Sequence, residues 1–278
     1  MTKDFVLKTQ DNEVLRVTTY GHEYINSSPC IFLVHGFKGF KDWGFFPYVG
    51  KYFAENKYFV IFFNFSLNGV GKSLVEFDEL DKFAENTISR EVDELSMIVA
   101  EYKNGFFGKT DNSKIGILGH SRGGGVSILY AAREKEVPAL VTWASVSYYD
   151  RYTEREKNEW RQKDHIEVLN SRTNQLMRLD KTLLEDIEFN KKDKLNVEKA
   201  VGNLDCPFLL IHGEEDLTVP ILEGEKLYNS SNKNLTQFIK IPSTGHTLNA
   251  KHPFEGSNSK LDYALQKSLE FFNKNLIN

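Results

Sequence analysis

The sequence predicts an α/β fold around a mostly parallel central sheet, and three observations carry that prediction. Apolar runs recur at 31–36, 60–65, 115–119, 139–146, 208–212 and 238–241. They are continuous rather than alternating, as in strands buried on both faces. The stretches between them have helical periodicity. Ile88, Val92, Leu95, Val99 and Tyr102 share one face, and Leu261, Leu265, Leu269 and Phe272 repeat the pattern near the C-terminus. Strands that alternate with helices imply right-handed crossovers and helices on both faces of the sheet.

The remaining elements fit around that frame. Residues 4–9 and 14–21, separated by Gln10-Asp11-Asn12-Glu13, read as an N-terminal antiparallel hairpin. From 147 to 201 the rhythm breaks: the segment is highly charged and has no long apolar strand. Within it, 166–170 and 175–179 flank the polar stretch Ser171-Arg172-Thr173-Asn174 and form a small hairpin, and 180–189 looks helical. The segment is read as a small cap inserted into a single domain spanning 1–278.

Composition excludes several function classes. Hydrophobic residues make up 40% and charged residues 27%, as in an ordinary globule, and the formal net charge of −4 gives no basic field for nucleic acid. Residues 1–10 alternate polar and apolar without a long apolar core. The expectation is a cytoplasmic protein with no secretory signal and no membrane span. Cys30 and Cys206 each precede an apolar run and read as small buried packing residues. No His/Cys/Asp spacing suggests a metal, and the chemistry below needs no cofactor.

The decisive motif is Gly119-His120-Ser121-Arg122-Gly123, of the form G-x-S-x-G. It follows an apolar strand and precedes a helical stretch, the context in which a serine sits on a sharp turn at the carboxyl end of a sheet. Gly123-Gly124-Gly125 costs the helix about 1 kcal/mol per glycine in propensity and is explained by close packing of helix on sheet. A serine hydroxyl is a weak nucleophile. It needs a base, and the base needs an orienting carboxylate. Asp216, in the loop beyond 208–212, is the best acid, with Glu214 and Glu215 as solvated neighbours. His246, preceded by Gly245 in the loop after 238–241, is the base, and His252 is displaced from that strand end. His35 and His212 end strands before glycine, and His120 packs beside the serine. Acyl transfer also needs two N–H groups for the carbonyl oxygen. The candidates are the backbone amides of Arg122, after the serine, and of Phe37, after the first core strand. Phe40, Trp43, Tyr148 and Tyr149 are candidates for lining the substrate pocket, although Trp43 suits helix packing equally well.

Taken together, His35-Gly36-Phe37, Asn64-Phe65 through Gly69-Val70-Gly71, Gly119-His120-Ser121-Arg122-Gly123, His212 to Asp216 with Val219-Pro220, and Gly245-His246 resemble the α/β-hydrolase superfamily. They cover most of the chain in that superfamily's order. Within it the chain looks like the feruloyl/cinnamoyl esterase, dienelactone hydrolase-like and prolyl-oligopeptidase-like serine hydrolases, and the cap is similar in position to that of the feruloyl-esterase type. Arginine at 122 departs from the Gln, Met or Leu common in relatives, and Asn64 with Ser66-Leu67-Asn68 departs from Asp-x-Arg-Gly-x-Gly. Serine rather than cysteine at 121 argues against dienelactone hydrolysis proper. The resemblance implies cleavage of a small-molecule carboxylic ester through an acyl-enzyme on Ser121. An aminopeptidase or other peptidase of the same fold is the alternative, with Glu154, Glu156 and Asp164 of the cap receiving a free amino terminus. A third reading is a non-catalytic binding protein on this scaffold. Such proteins usually lose a triad member, and all three are present here.

Overall fold

Runs of Val, Ile, Leu and Phe form the strands at the middle of the sheet, where every residue is buried. A computed structural model describes residues 1–73, 76–110, 114–170 and 173–277. In chain order the elements are β1 (Thr2–Lys8), β2 (Val14–Tyr20), β3 (Cys30–Val34), α1 (Phe46–Glu55), β4 (Phe59–Asn64), α2 (Leu80–Glu85), α3 (Ile88–Lys103), β5 (Ile115–His120), α4 (Arg122–Glu134) and β6 (Ala139–Trp143). There follow α5 (Glu154–Lys163), β7 (His165–Asn170), β8 (Gln175–Asp180), α6 (Lys181–Asn190), α7 (Val197–Gly202), β9 (Phe208–Gly213), α8 (Ile221–Ser230), β10 (Thr236–Ile241) and α9 (Ser259–Phe272).

The main sheet has the order β1-β2-β4-β3-β5-β6-β9-β10. β1 pairs antiparallel with β2, and β2 with β4; the other neighbours are parallel. The N-terminal hairpin and the parallel core are therefore as the sequence predicts. Helices cover both faces, and two glycines of β5 demonstrate it. A side chain on Gly116 would strike Phe272 of α9, and one on Gly119 would strike Gly123 and Ser127 of α4. Those positions are three apart, so they face opposite sides of a pleated strand. α1 packs with α9 on one side, while α3, α4, α7 and α8 pack in series on the other.

Two expectations are adjusted. The run 139–146 ends as a strand at Trp143, because Ala144 takes a left-handed backbone (φ 49°) and its N–H turns to the Ile211 carbonyl at 2.8 Å. In the cap, β7 and β8 form the expected antiparallel hairpin and α6 the expected helix, while Ser171 and Arg172 of its polar stretch lie outside the described residues. α7 packs on α4 and α8, so the helical layer resumes at Val197, inside the segment read as cap. The cap is fastened to the core. Gln175 exchanges two hydrogen bonds with the Phe77 backbone, Asp186 accepts from the N–H and hydroxyl of Ser89, and Lys38 donates to the Leu169 carbonyl at 2.8 Å.

His35, just past β3, is buried as a neutral ring. Its Nδ1 must carry the proton, because it faces the Gly36 carbonyl at 3.0 Å, and Nε2 accepts from the Phe65 N–H at 3.4 Å. Burial pushes its pKa from 6.5 down to about 4. The unfolded chain therefore takes up this proton near pH 6.5 and the folded one only near 4, so stability present above 6.5 is lost as pH falls towards 4. Between pH 7 and 5 this ring is expected to remove about 2 kcal/mol of unfolding free energy. In denaturant titrations His35→Gln should flatten that part of the pH profile; an unchanged slope would contradict a buried neutral ring.

Candidate active site

Ser121 stands on the turn between β5 and α4 with φ 58° and ψ −123°, a left-handed conformation that is strained for a residue with a side chain. The turn is held from all sides. The Ser121 N–H donates to the Trp143 carbonyl at 2.9 Å, and the Ser121 carbonyl accepts from Gly124 and Val146. The glycines around it are required by space. A Cβ on Gly123 would lie 2.3 Å from the His35 carbonyl oxygen, and one on Gly124 would lie 2.7 Å from the Ser145 Cβ. α4 thus sits directly against the sheet, with its N-terminus and partial positive charge beside the serine.

Two loops bring the partners. Asp216 follows β9, and its carboxylate is fully buried. One oxygen accepts from the N–H groups of Thr218 (2.8 Å) and Val219 (2.9 Å), and the other accepts from His246 Nδ1 at 2.7 Å. Burial pushes the carboxyl up, but hydrogen bonds from His212, His246 and the Val219 N–H outweigh it and hold the group well below the usual carboxylate range. A carboxylate only accepts, so Nδ1 of His246 carries the proton and Nε2 is left to face the Ser121 hydroxyl at 3.0 Å. His120, expected simply to pack, packs against Phe45 and Phe46 and also donates from Nε2 to the His246 carbonyl at 3.0 Å, which fastens the His246 loop. His252 accepts from the Gly44 N–H and stacks on Trp43, away from the serine. Glu214 and Glu215 are exposed.

The Phe37 loop closes over the serine: a Cβ on Gly36 would lie 2.8 Å from the Ser121 Cβ. Among the described residues, neither the Phe37 nor the Arg122 N–H is taken up by a turn or loop carbonyl. Two hollows flank Ser121. A cavity of about 150 Å³ runs under the cap, between Phe37, Arg122 and Val146 on one side and Leu183 and Ile187 of α6 on the other. A second recess of about 30 Å³, also reaching Phe37 and Ser121, lies against Trp43, His246 and Thr247. Of the four pocket aromatics expected from the sequence, Tyr149 lines the cavity and Trp43 the recess. Phe40 lines neither; it is buried edge-on between Phe77 and His252. Tyr148 also lines neither and is 39% exposed, with Arg151 and Lys226 over its ring.

Sequence reasoning missed the ion pair beneath this site. Arg122 is buried, and its guanidinium meets Glu91 of α3 through both Nε (2.9 Å) and Nη2. Burial works against the charge, but Glu91 outweighs it and raises the Arg122 pKa. It also missed Asn64 and Asn68, which brace the loop after β3 by accepting from the Lys41 N–H (2.6 Å) and donating to the Gly39 carbonyl (3.3 Å). The available signal was the pair of departures already noted, arginine at 122 and Asn64-Phe65-Ser66-Leu67-Asn68. The cap acids face other tasks: Glu154 pairs with Lys157, Glu156 closes the capping box of α5, and Asp164 pairs with Lys181.

The family model for the BAAT / acyl-CoA thioester hydrolase C-terminal domain matches residues 107–256, a stretch that contains Ser121, Asp216 and His246. The chain belongs to this family. It is a hydrolase of the α/β class, with a mostly parallel sheet. The putative α/β hydrolase L404 of Acanthamoeba polyphaga mimivirus is 35% identical over 54 residues, which is 19% of this chain and about a fifth (20%) of that relative. Among solved structures, the α/β hydrolase GrgF from Penicillium sp. sh18 superposes with a TM-score of 0.75 at 15% identity over 100% of both chains. Est1E from Butyrivibrio proteoclasticus, with ferulic acid bound, gives 0.75 at 18% identity over 99% of this chain and 100% of its own. At these identities the likeness is one of fold. No helix among the described residues is long and apolar enough to cross a membrane.

The glycine requirement in this family member is testable. Gly123→Ala forces a methyl into the His35 and Val34 carbonyls, an overpacking that costs about 1–3 kcal/mol. Guanidinium unfolding should show a lower midpoint at unchanged slope, and a midpoint equal to wild type would contradict the packing described.

Proposed function

We propose that the protein is a serine hydrolase that cleaves carboxylic esters of small acyl groups through an acyl-enzyme on Ser121. The hydrogen-bonded series Asp216–His246–Ser121, at 2.7 Å and 3.0 Å, carries the reading. His246 Nε2 takes the hydroxyl proton as Oγ attacks the carbonyl carbon, and Asp216 stabilises the imidazolium that forms. The carbonyl oxygen becomes negative and is received by the N–H groups of Phe37 and Arg122, each worth about 10²–10³ in rate. The same histidine then gives its proton to the departing oxygen and later activates the water that releases the acid.

The two hollows divide the substrate. His246 lines the recess and not the cavity, so the leaving group that it protonates departs on the recess side and the acyl group occupies the cavity. A cavity near 150 Å³ takes a group about the size of one benzene ring. The Tyr149 hydroxyl is buried beside it without a hydrogen-bond partner among the described residues, a cost of about 1–3 kcal/mol that an oxygen on the acyl group would offset. Together these support a short or single-ring acyl group bearing an oxygen, as in feruloyl-type esters, and Est1E with bound ferulic acid supports the same reading.

The family's own description favours a second leaving group, a thiol, and the same steps would cleave a thioester. A peptidase reading loses support because Glu154, Glu156 and Asp164 are exposed and occupied by neighbours outside the cavity. A non-catalytic reading is disfavoured by the intact series of hydrogen bonds.

A fluorophosphonate probe is expected to label Ser121, as read by peptide mass spectrometry. Ser121→Ala should abolish labelling and lower turnover by at least about 1,000-fold. With one acyl group on three leaving groups, the ester and the thioester should turn over far faster than the anilide. Undiminished turnover in Ser121→Ala, or preference for the anilide, would overturn the proposal.

A further inference from the structure

Arg122 carries more of the site than its backbone amide. Its guanidinium carbon lies 5.0 Å from the centroid of the Phe37 ring, a ring that also has Lys38 Nζ at 5.3 Å and Phe83 of α2 stacked at 5.5 Å with an interplanar angle of 30°. The side chains of the two residues proposed to supply the oxyanion amides therefore lie on one another, although one follows β3 and the other opens α4. Glu91 grips the guanidinium edge through two hydrogen bonds, and Asn86 holds Glu91 in turn at 2.8 Å.

Stability is a poor reason for this arrangement. Taking two charges out of water cancels most of their attraction, and buried ion pairs are often replaced by apolar residues at no loss. Rigidity is a better one. A guanidinium held by a fork-like carboxylate is a fixed, oriented cation, and an aromatic ring with that cation over its face cannot slide without losing the contact. An oxyanion hole needs that property, because its two donors come from separate loops and must stay within a fraction of an ångström of one point.

We infer that Glu91 is a positioning residue: through Arg122, whose guanidinium sits over the Phe37 ring, it holds the two oxyanion amides in register. The inference rests on the serine-hydrolase reading. Glu91 touches neither substrate nor reacting atoms, and its effect passes entirely through the guanidinium. The pair also leaves the cavity wall electrically balanced at Arg122, so it supplies position without adding net charge to the acyl site.

The test compares wild type, Glu91→Gln, Phe37→Leu and the double variant. Fluorophosphonate titration counts active sites in each, so rates refer to folded enzyme only. Glu91→Gln is expected to lower kcat by about ten- to a hundredfold with KM little changed. Affinity for a trifluoromethyl ketone, which forms the tetrahedral adduct, should fall by the same factor as kcat/KM, while affinity for the carboxylic acid product stays at the wild-type level. Phe37→Leu keeps the amide and removes the ring under the guanidinium, so kcat and ketone affinity should fall in it too, and in both measures the double variant should be no worse than the poorer single one. If Glu91→Gln does not fold, Glu91→Asp, which keeps the charge on a shorter side chain, takes its place in the comparison. Per-site kcat and ketone affinity equal to wild type in Phe37→Leu, or losses that multiply in the double variant, would overturn the inference. Failure of the wild type to label at Ser121 would instead overturn the serine-hydrolase reading itself.

Discussion

Everything at this site depends on three loops ending at one edge of one sheet. The serine turn leaves β5, the carboxylate loop leaves β9 and the histidine loop leaves β10, and the hydrogen bonds among them require those ends to be level. Parallel pairing supplies the level. β9 and β10 pair in register from Phe208 with Thr236 to Gly213 with Ile241, and the Glu214 N–H bonds the Ile241 carbonyl just beyond. Gly213 then allows the histidine loop to fold down over β9, because a Cβ there would lie 2.2 Å from the Thr244 carbonyl oxygen. A side chain at that position would lift His246 away from its hydrogen bond with Asp216.

The second theme is the treatment of buried charge. Arg122 with Glu91 and Arg151 with Glu223 each set a guanidinium near the cavity against a buried carboxylate that does not line it. Glu94 is handled likewise by Arg90 and Ser66. Neutral pairs of this kind stiffen the wall around an apolar cavity without imposing a net field on it, and net neutrality suits an uncharged acyl group. The cap completes the cavity by lending Leu183 and Ile187, and its ties to Phe77, Ser89 and Lys38 hold that roof near the serine.

The strands were legible because burial on both faces leaves continuous apolar runs, and the cap hairpin was legible because two short runs flank a polar stretch. The three residues now within hydrogen-bonding reach were legible because strained turns demand particular residues in a particular order: glycines about Ser121, and Gly245 ahead of His246. Other features were not. Ala144 ends β6 by adopting a backbone that nothing in its own side chain announces. Phe40 and Tyr148 stand close to site residues in sequence, yet which way a loop aromatic turns is decided by tertiary packing, and one turned to the core and the other outward. The bond between Glu91 and Arg122 spans 31 positions and two helices, so only an oddity at one end, arginine after the serine, hinted at it.

The convergence of Ser121, His246 and Asp216 is the claim on which the functional account stands, and the bridging proton between His246 and Asp216 reports it most directly. Proton NMR of the wild-type protein should show a resonance far downfield of the amides, from Nδ1–H of His246 shared with a buried carboxylate, and the signal should vanish in His246→Gln. Absence of that resonance in wild type, or its survival in His246→Gln, would contradict the arrangement.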